Sequence, residues 1–402
     1  MATTVRTPDL SDVSFARFGQ KFPQQRSRPE YLFIHTVRFW SMVAIVLMHA
    51  IAEVHYECQP IPLGQKSLMQ QPLKFATIGF FIISGFLLGE RLPASNPVSY
   101  LRRRAGRLLP AWALWWALDT LDLTKRTLLH QYRAGLGPAA MFETLRAAAF
   151  WALTMKPVWF VPNLLVALTC LVMLRKWIND LRLGAFFLAL SIFYALNIYA
   201  CWIPTRHTEA LFGFVFYLWL GAWCARRKDC VLSWVQTRSA GWLVFWACAA
   251  AGVSLIESCV LRAMNLDDTN TLRFGNQIYS VLVVILLVRI QRRTWPAFVN
   301  VPETTYGIYH SHDMVLGSVG FVVARIALIH NHVLGSAGVV LISIVIGLIA
   351  YALSLQLTRL LASSPRWAWT VGASDFNLRK SIAGSAAMDE PIVQRRQSLS
   401  NA

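Results

Sequence analysis

Two basic side chains on one apolar segment are the strongest candidates for chemistry in this chain. Arg38 and His49 stand eleven positions apart in the stretch RFWSMVAIVLMHA. On an α-helix this spacing returns to nearly the same face, with a rise of about 16 Å between the two residues. Ionisable groups inside apolar helices are costly and are functional candidates by default. The spacing therefore predicts that a guanidinium and a titratable imidazole enter one cavity at two depths.

A purely structural interpretation of this helix, and of the next one, is also open. Arg38 can anchor the cytoplasmic end of a membrane helix, and His49 can be a satisfied polar residue at the membrane interface. The following apolar stretch, FFIISGFLLGERL, contains Ser84 and Gly85, and such small residues permit close approach of helices. A nucleophile elbow at Ser84 is disfavoured, because the sequence lacks GxSxG and the strand–turn–helix context.

A run of arginines follows in YLRRRAGRLLPAW. Four guanidinium groups beside a membrane can hold the phosphates of a nucleotide-like donor in the cytoplasm. The alternative is that they only fix the topology of the adjoining helix. The four residues are Arg102, Arg103, Arg104 and Arg107.

The stretch TTYGIYHSHDMVL carries a second group of polar residues near the end of the chain. His310 and His312 diverge by about 200° on a helix, so only one of them can face a given cavity. Tyr309, His312 and Asp313 share a broad face. These residues can line a site, or they can be polar contacts between helices.

The composition of the chain excludes a soluble domain. Of the 402 residues, 56% are hydrophobic and only 14% are charged, against about 25% charged residues in a soluble domain. The net charge of +18 would suggest nucleic acid in a soluble protein. Here the basic residues lie in short runs between apolar stretches, as in cytoplasmic loops that face anionic lipid. We therefore expect a lipid bilayer as partner and no nucleic acid.

The cysteines give no sign of a disulfide framework or a metal site. No CxxC motif or paired spacing occurs among them, and most lie in or beside apolar segments, where cysteine behaves as a small hydrophobic residue. We therefore expect no metal. The seven residues are Cys58, Cys170, Cys201, Cys224, Cys230, Cys248 and Cys259.

Apolar segments long enough to cross a membrane recur along the chain, since a spanning helix needs about 20 mainly apolar residues. The third of them is the weakest, because Asp119 and Asp122 crowd its end, and the shorter stretch 140–155 is re-entrant or interfacial. We predict an all-α, polytopic membrane protein of about ten transmembrane helices. The ten segments are 36–54, 73–90, 106–121, 157–175, 183–200, 209–225, 240–259, 275–290, 305–328 and 334–361.

The positions of lysine and arginine predict the orientation. If the chain has ten helices and both termini are cytoplasmic, the basic loops 91–105, 175–182, 226–238 and 291–304 all fall on the cytoplasmic side. We divide the chain into a polar cytoplasmic segment 1–30, a transmembrane domain 31–361 and a cytoplasmic tail 362–402. From about Gly372 onward the tail is polar and rich in Ser and Ala, and this composition predicts disorder for the tail.

Taken in this order, the segments resemble the acyltransferase-3 family of membrane O-acyltransferases. That family carries an arginine, ten intervening residues and a histidine on its first helix, as Arg38 and His49 do. The further matches are the FFxxSGFL segment at Phe80, Phe81, Ser84, Gly85, Phe86 and Leu87, the basic run before Leu-Pro-aromatic at 101–112, VWFVPNLL at 158–165, and Thr305, Tyr306, Ile308, Tyr309 and His312 in a Ser/Thr-Tyr-x-Ile-Tyr-x-x-His segment. The resemblance spans about residues 31 to 361.

The resemblance implies transfer of an acyl group, expected to be acetyl, from cytoplasmic acyl-CoA to a hydroxyl of a carbohydrate-containing or small-molecule acceptor. His49 is then the expected general base, and Arg38 binds a phosphate of CoA or the thioester oxygen. The four arginines of the basic run receive the anionic donor, while Ser84, Tyr309 and His312 contribute to donor or acceptor binding. No bound cofactor is implied. The expected location is the inner membrane of a bacterium, as a multi-pass protein.

Two other classes of function compete with this interpretation. Intramembrane Arg and His residues also suit a proton-coupled transporter or a flippase for a small molecule or lipid-linked sugar. The sequence shows no internal repeat, which argues against such a carrier. A binding or sensor protein would explain the polar helix faces but not the ordered motifs. The sequence does not identify the acceptor.

Overall fold

The structure is a computed structural model that describes residues 31–91, 96–325 and 335–373. These residues form helices and connecting loops, with no β-strand among them. The predicted all-α class is therefore confirmed. All helices lie in the second of two units, Leu32–Ala402. The predicted N-terminal segment 1–30 and most of the predicted tail, residues 374–402, lie outside the described residues.

Thirteen α-helices, α1 to α13 in chain order, are found in the described ranges. A π-helical turn, Val54–Cys58, extends α1, and a 3₁₀ turn, Gln71–Leu73, joins α2 to α3. The helices are Leu32–Glu53, Leu63–Gln70, Ala76–Arg91, Pro97–Arg133, Pro138–Met155, Phe160–Met173, Leu181–Ala200, Val215–Arg226, Lys228–Thr237, Ala240–Ala263, Phe274–Arg289, Val301–Arg325 and Ser336–Ser363.

Each of the ten predicted spans corresponds to a helix, but fewer helices are long and apolar enough to cross a membrane by themselves. Five spans of the described chain meet that standard, or six when a bent pair counts as one. The predicted count of ten is thus not confirmed. The five are Leu32–Cys58, Leu63–Glu90, Leu181–Ala200, Ala240–Ala263 and Ser336–Ser363.

The bent pair explains the short apolar stretch 140–155. Helix α5, Pro138–Met155, meets the helical segment Pro157–Met173 at an angle of 70°. Lys156 stands at the break in extended conformation, and Pro157 follows it. The residue before a proline is disfavoured in helical conformation, so the sequence ends one helix and begins the next at this corner.

Helix α12 packs against both α1 and α4, and the three helices run in the same direction. Between α1 and α12, His49 contacts His312, and the Glu53 carboxylate packs against Gly320 further along both helices. Between α4 and α12, Tyr306 donates to the carbonyl of Leu108 at 2.7 Å. The two contacts between α1 and α12 therefore follow the same order along both helices.

Close helix packing accounts for the glycine of the FFxxSGFL segment. A Cβ atom at Gly85 would lie 1.9 Å from the carbonyl oxygen of Leu218 in α8, and one at Gly221 would lie 1.9 Å from that of Ile82. Helices α3 and α8 thus approach as closely as backbones allow. The small-residue interpretation holds for Gly85.

The first part of the predicted tail is folded. Helix α13 ends at Ser363, and a 3₁₀ turn, Ala368–Val371, follows with most of its side chains buried. The indole of Trp115 donates to the carbonyl of Thr370 at 2.9 Å, which attaches the turn to α4. The folded part of the described chain therefore extends to about residue 373. The sequence did not indicate this turn, because its contacts come from distant helices.

Candidate functional site

A cavity of 250 Å³ brings together five of the residues that the sequence singled out. We call it the basic cavity, because three guanidinium groups and no carboxylate line it among the described residues. The five are Arg38, Ser84, Arg104, Arg107 and Tyr309, and the remaining lining residues are Phe80, Leu108, Phe160, Val161, Leu164, Pro302, Thr305, Tyr306 and Gly372.

Two of the four arginines of the basic run reach this cavity. Arg104, half-buried, and Arg107, exposed, line it. Arg102 and Arg103 are exposed. They do not line the cavity, and Arg103 instead donates to the carbonyl of Ser99 at 3.2 Å. Their predicted contact with a donor stays a prediction.

Arg38 and His49 lie on α1 as predicted, but they do not share one described cavity. Arg38 lines the basic cavity. His49 lies further along α1, half-buried, with its ring centroid 5.2 Å from that of His312. Arg38 therefore lies among guanidinium groups, and His49 lies further along α1 beside a second imidazole.

His312 is buried and its tautomer follows from its contacts. Its Nδ1 lies 2.6 Å from the carbonyl oxygen of Tyr309 and 3.2 Å from that of Ile308. Since carbonyls only accept, Nδ1 carries the proton and Nε2 is left with a free lone pair. Nε2 is buried and has no hydrogen-bond partner among the described residues. It is thus a buried acceptor beside the ring of His49.

His310 points away from this pair, as the helical spacing predicts. Its ring stacks on Trp115 of α4 and packs edge-on against Tyr306, with centroid distances of 6.3 Å and 4.5 Å. His312 is therefore the histidine of this segment that approaches His49.

A second and larger cavity, of 980 Å³, lies on the other side of the histidine pair. We call it the mixed-charge cavity, since acidic and basic side chains alternate on its walls. An ion pair, Lys156 Nζ to Asp313 Oδ2 at 2.6 Å, crosses it. The lining residues are Glu53, Glu57, Asp119, Asp122, Leu123, Lys125, Arg126, Lys156, Asp313, Met314, Gly317, Ser318, Phe321, Val322 and Arg325.

The position of His49 between the two cavities follows from its neighbours on both helices. On α1, Arg38 lines the basic cavity and Glu53, one turn beyond His49, lines the mixed-charge cavity. On α12, Tyr309 lines the first and Asp313 the second, with His312 between them. His49 is also within electrostatic range of Asp313 and Lys156.

Two contacts fix the corner between α5 and α6 to α12. The hydroxyl of Tyr309 donates to the carbonyl of Pro157, and the next residue back, Lys156, pairs with Asp313. The indole of Trp112 donates to the carbonyl of Val158 at 2.9 Å and ties the same corner to α4. Tyr309 thus has a structural partner as well as a place in the basic cavity wall.

Sequence reasoning missed three polar residues of the mixed-charge cavity. Glu53 follows His49 by four positions and so shares its helix face. Asp119 is 4% exposed, although in the sequence it only weakened a span. Lys156 interrupts an apolar stretch. Each is an ionisable group in an apolar context, which is the signal that could have found it.

The basic cavity can hold an anion, and the mixed-charge cavity can hold a ligand that donates hydrogen bonds. The imidazole of His49 lies between the two cavities. No group of three or more His, Cys, Asp or Glu residues suited to a metal ion occurs in the described part of the chain.

A family model described as an acyltransferase domain matches residues 31–355. No curated protein and no solved structure matches the chain.

Proposed function

The chain belongs to the acyltransferase-3 family, and from this membership we propose that it transfers an acetyl group from acyl-CoA to a hydroxyl of a carbohydrate-containing or small-molecule acceptor. The family supports a membrane acyltransferase in general. The observation that carries the finer proposal is the position of His49, between a carboxylate-free basic cavity and a larger cavity on the other side.

The basic cavity suits the reactive end of the donor. Its 250 Å³ is too small for a whole CoA molecule, so the thioester arm enters while most of the nucleotide stays outside. Arg104 and Arg107 then meet phosphate oxygens at the entrance, where charge-assisted bonds from guanidinium groups are strong and directional. The exposed Arg102 and Arg103 extend this basic surface. Arg38 binds the thioester oxygen or a phosphate.

The acceptor hydroxyl approaches His49 from the mixed-charge cavity. Its oxygen attacks the thioester carbon, so that a C–O bond forms and the C–S bond breaks. His49 takes the hydroxyl proton and returns it to the departing CoA thiolate. General-base help of this kind is worth about 10²–10⁴-fold. We propose a direct transfer with no acyl-enzyme, in which the single imidazole of His49 serves the donor and the acceptor.

His312 orients this base. With its Nδ1 proton held by backbone carbonyls, the free Nε2 can accept a hydrogen bond from the N–H of His49. That bond leaves the second nitrogen of His49 unprotonated and ready to act as base. His312 is a positioning residue in this scheme, since it acts through His49.

The proposed setting is the inner membrane of a bacterium, with the basic cavity on the cytoplasmic side where acyl-CoA is found. This orientation agrees with the basic loops that we predict to be cytoplasmic. The basic run near the start of α4 belongs to one of those loops and borders the cavity. The acceptor then reaches His49 from the opposite side of the bilayer.

The test is release of free CoA and transfer of label from labelled acetyl-CoA by the purified full-length protein. We expect turnover by the wild type and a loss of about 10²-fold or more in His49→Ala. His130→Ala, a change at an exposed histidine of α4, is the matched control and should leave turnover unchanged. Thermal denaturation of all three proteins checks the folding.

Equal turnover by His49→Ala and the wild type would remove His49 from the mechanism. If the wild type bound no acetyl-CoA at all, the acyl-donor role of the basic cavity would be wrong, and a transporter would become the better interpretation.

A further inference from the structure

A third cavity, of 570 Å³, lies where helix α11 ends and helix α10 begins. We call it the boundary cavity. Its lining holds two guanidinium groups and three large apolar side chains, with no carboxylate among the described residues. None of its lining residues belongs to the basic cavity or the mixed-charge cavity, so the proposed reaction does not use it. The seven lining residues are Ala240, Leu286, Leu287, Arg289, Ile290, Gln291 and Arg292.

The guanidinium of Arg289 is held in place by the end of helix α9. Its Nη1 donates to the carbonyl oxygens of Val235 and Gln236, at 2.9 and 2.7 Å. The side chain of Gln236 in turn donates to the carbonyl of Arg289 at 3.2 Å. A guanidinium has five N–H groups, and only those on Nη1 serve these carbonyls. The N–H groups on Nε and Nη2 bond to no described residue and remain for a ligand, and the charge of Arg289 has only neutral partners.

Arg292 adds a second positive charge to the same cavity. It is exposed and forms no hydrogen bond or ion pair with any described residue. Its neighbour Arg293 is different, since it donates to backbone carbonyls of its own loop and does not line the cavity. Guanidinium groups without a carboxylate partner favour an anion, and they bind phosphate oxygens well.

The rest of the lining is mainly apolar and lies at the end of a membrane helix. Leu286, Leu287 and Ile290 are half-buried side chains of the wall. Helix α10 is long and apolar enough to cross a membrane, and close to its start Trp242 and Trp246 are exposed. Tryptophan is enriched at the level of the lipid headgroups. The boundary cavity therefore lies where headgroups meet acyl chains.

We infer that the boundary cavity binds an anionic phospholipid. The lipid phosphate accepts hydrogen bonds from Arg289, the charge of Arg292 attracts the headgroup, and an acyl chain lies along the apolar wall. Basic pockets between transmembrane helices on the cytoplasmic side suit anionic headgroups, and the adjoining loops 226–238 and 291–304 are the basic loops that we predict to be cytoplasmic. A soluble phosphate lacks the chain that would cover the apolar wall, and a zwitterionic lipid adds an ammonium group that the arginines repel.

The experiment titrates the full-length protein in detergent with phosphatidylglycerol or with phosphatidylethanolamine of the same acyl chains. Both lipids carry a phosphate, but only phosphatidylglycerol has a net negative charge. Native mass spectrometry measures the bound lipid. One basic residue near the membrane surface strengthens the binding of an anionic lipid about fivefold, so the wild type should bind phosphatidylglycerol about tenfold or more tighter than phosphatidylethanolamine.

Charge variants locate the headgroup. Arg292→Gln should weaken the binding of phosphatidylglycerol about fivefold. Since Arg292 has no partner to lose among the described residues, this variant should fold, and thermal denaturation verifies it. The matched control, Arg226→Gln, removes the same charge at an exposed position of α8 outside the cavity, and should change the binding less than about twofold.

Steric variants locate the acyl chain. Ala240→Trp places a large side chain in the cavity and should weaken the binding of phosphatidylglycerol more than Arg292→Gln does. Gly241→Trp adds a similar bulk at the next position, which does not line the cavity and where a Cβ atom meets open space. This control should leave the binding unchanged.

Equal binding of the two lipids by the wild type would overturn the inference. So would equal losses in Arg292→Gln and Arg226→Gln, or in Ala240→Trp and Gly241→Trp. Competition separates the lipid from soluble anions, because neither glycerol phosphate, which lacks acyl chains, nor acetyl-CoA should displace phosphatidylglycerol. Displacement by either of them would assign the boundary cavity to a soluble anion and show the inference to be wrong.

Discussion

The two cavities on either side of His49 differ in size, in charge and in how their charges are opposed. The basic cavity has 250 Å³ and three arginines with no carboxylate in its described lining. The mixed-charge cavity has 980 Å³ and, at its rim, exposed ion pairs such as Lys125 with Asp122. The guanidinium groups of the first favour an anion. A ligand of the second must compete with existing ion pairs.

This difference explains how one helix bundle can hold two chemically unlike ligands. Charges of one sign, concentrated in a small space, select a highly charged donor. Charges of both signs in a large cavity select a ligand by where its polar groups lie. This interpretation of the two cavities is wrong if the arginines of the basic cavity do not contribute to donor binding. It is also wrong if the ion pair of the mixed-charge cavity does not stabilise the fold.

The largest effect is expected from the arginines that face the basic cavity. In the double variant Arg104→Gln/Arg107→Gln, binding of acetyl-CoA should weaken about 100-fold or more, since two charge-assisted bonds of about 1.5–3 kcal/mol each are lost. The matched control, Arg102→Gln/Arg103→Gln, removes the same net charge outside the cavity and should weaken binding less than about tenfold. Calorimetric titration with acetyl-CoA measures both. Equal losses would mean that only net charge matters.

A smaller effect is expected from the ion pair of the mixed-charge cavity. Lys156→Met leaves Asp313 without its partner and should lower the free energy of unfolding by about 2 kcal/mol. Lys125→Met, at an exposed pair with Asp122, should cost less than about 0.5 kcal/mol. Denaturation monitored by intrinsic fluorescence compares the two variants. If Lys156→Met/Asp313→Asn were no more stable than Lys156→Met, the unpaired charge of Asp313 would not be the cause.

The smallest effect is expected between the cavities, at His312. His312→Phe removes the Nε2 acceptor and keeps a ring against His49, so acyl transfer should slow by about five- to tenfold, as for one neutral hydrogen bond. His310→Phe, on the opposite face of α12, should change the rate less than twofold. The pH dependence of the rate separates a role of His312 in orienting His49 from a role in folding. Only the loss of a partner of His49 should shift the inflection of the pH–rate curve. An unmoved inflection would make His312 a structural residue.

Spacing within one helix made part of this site predictable. The eleven-residue separation of Arg38 and His49 needs only the helical repeat, and so does the divergence of His310 and His312. The all-α fold followed from the apolar segments. The surroundings of the two residues did not follow from spacing, since Arg38 lines the basic cavity and His49 packs against His312 of α12.

Contacts between distant elements made the rest unpredictable. Lys156 and Asp313 are far apart in the chain and meet only after α5 bends back at Pro157. Trp115 and Thr370 likewise meet across the bundle, and for that reason the turn Ala368–Val371 could not be predicted. Among the arginines, the sequence could not show which of four would face inward, since the face of α4 is set by its packing against α12.

The parallel course of α1, α4 and α12 has an electrical consequence of its own. Peptide dipoles add up along a helix to about half a positive charge at its first turn and half a negative charge at its last turn. The first turn of α12, with Pro302, borders the basic cavity, and the last turn of α1, with Glu53, borders the mixed-charge cavity. The backbone alone therefore creates a potential that favours an anion at one end and a cation at the other. Exchanging the two ligands between the cavities would be unfavourable in this potential.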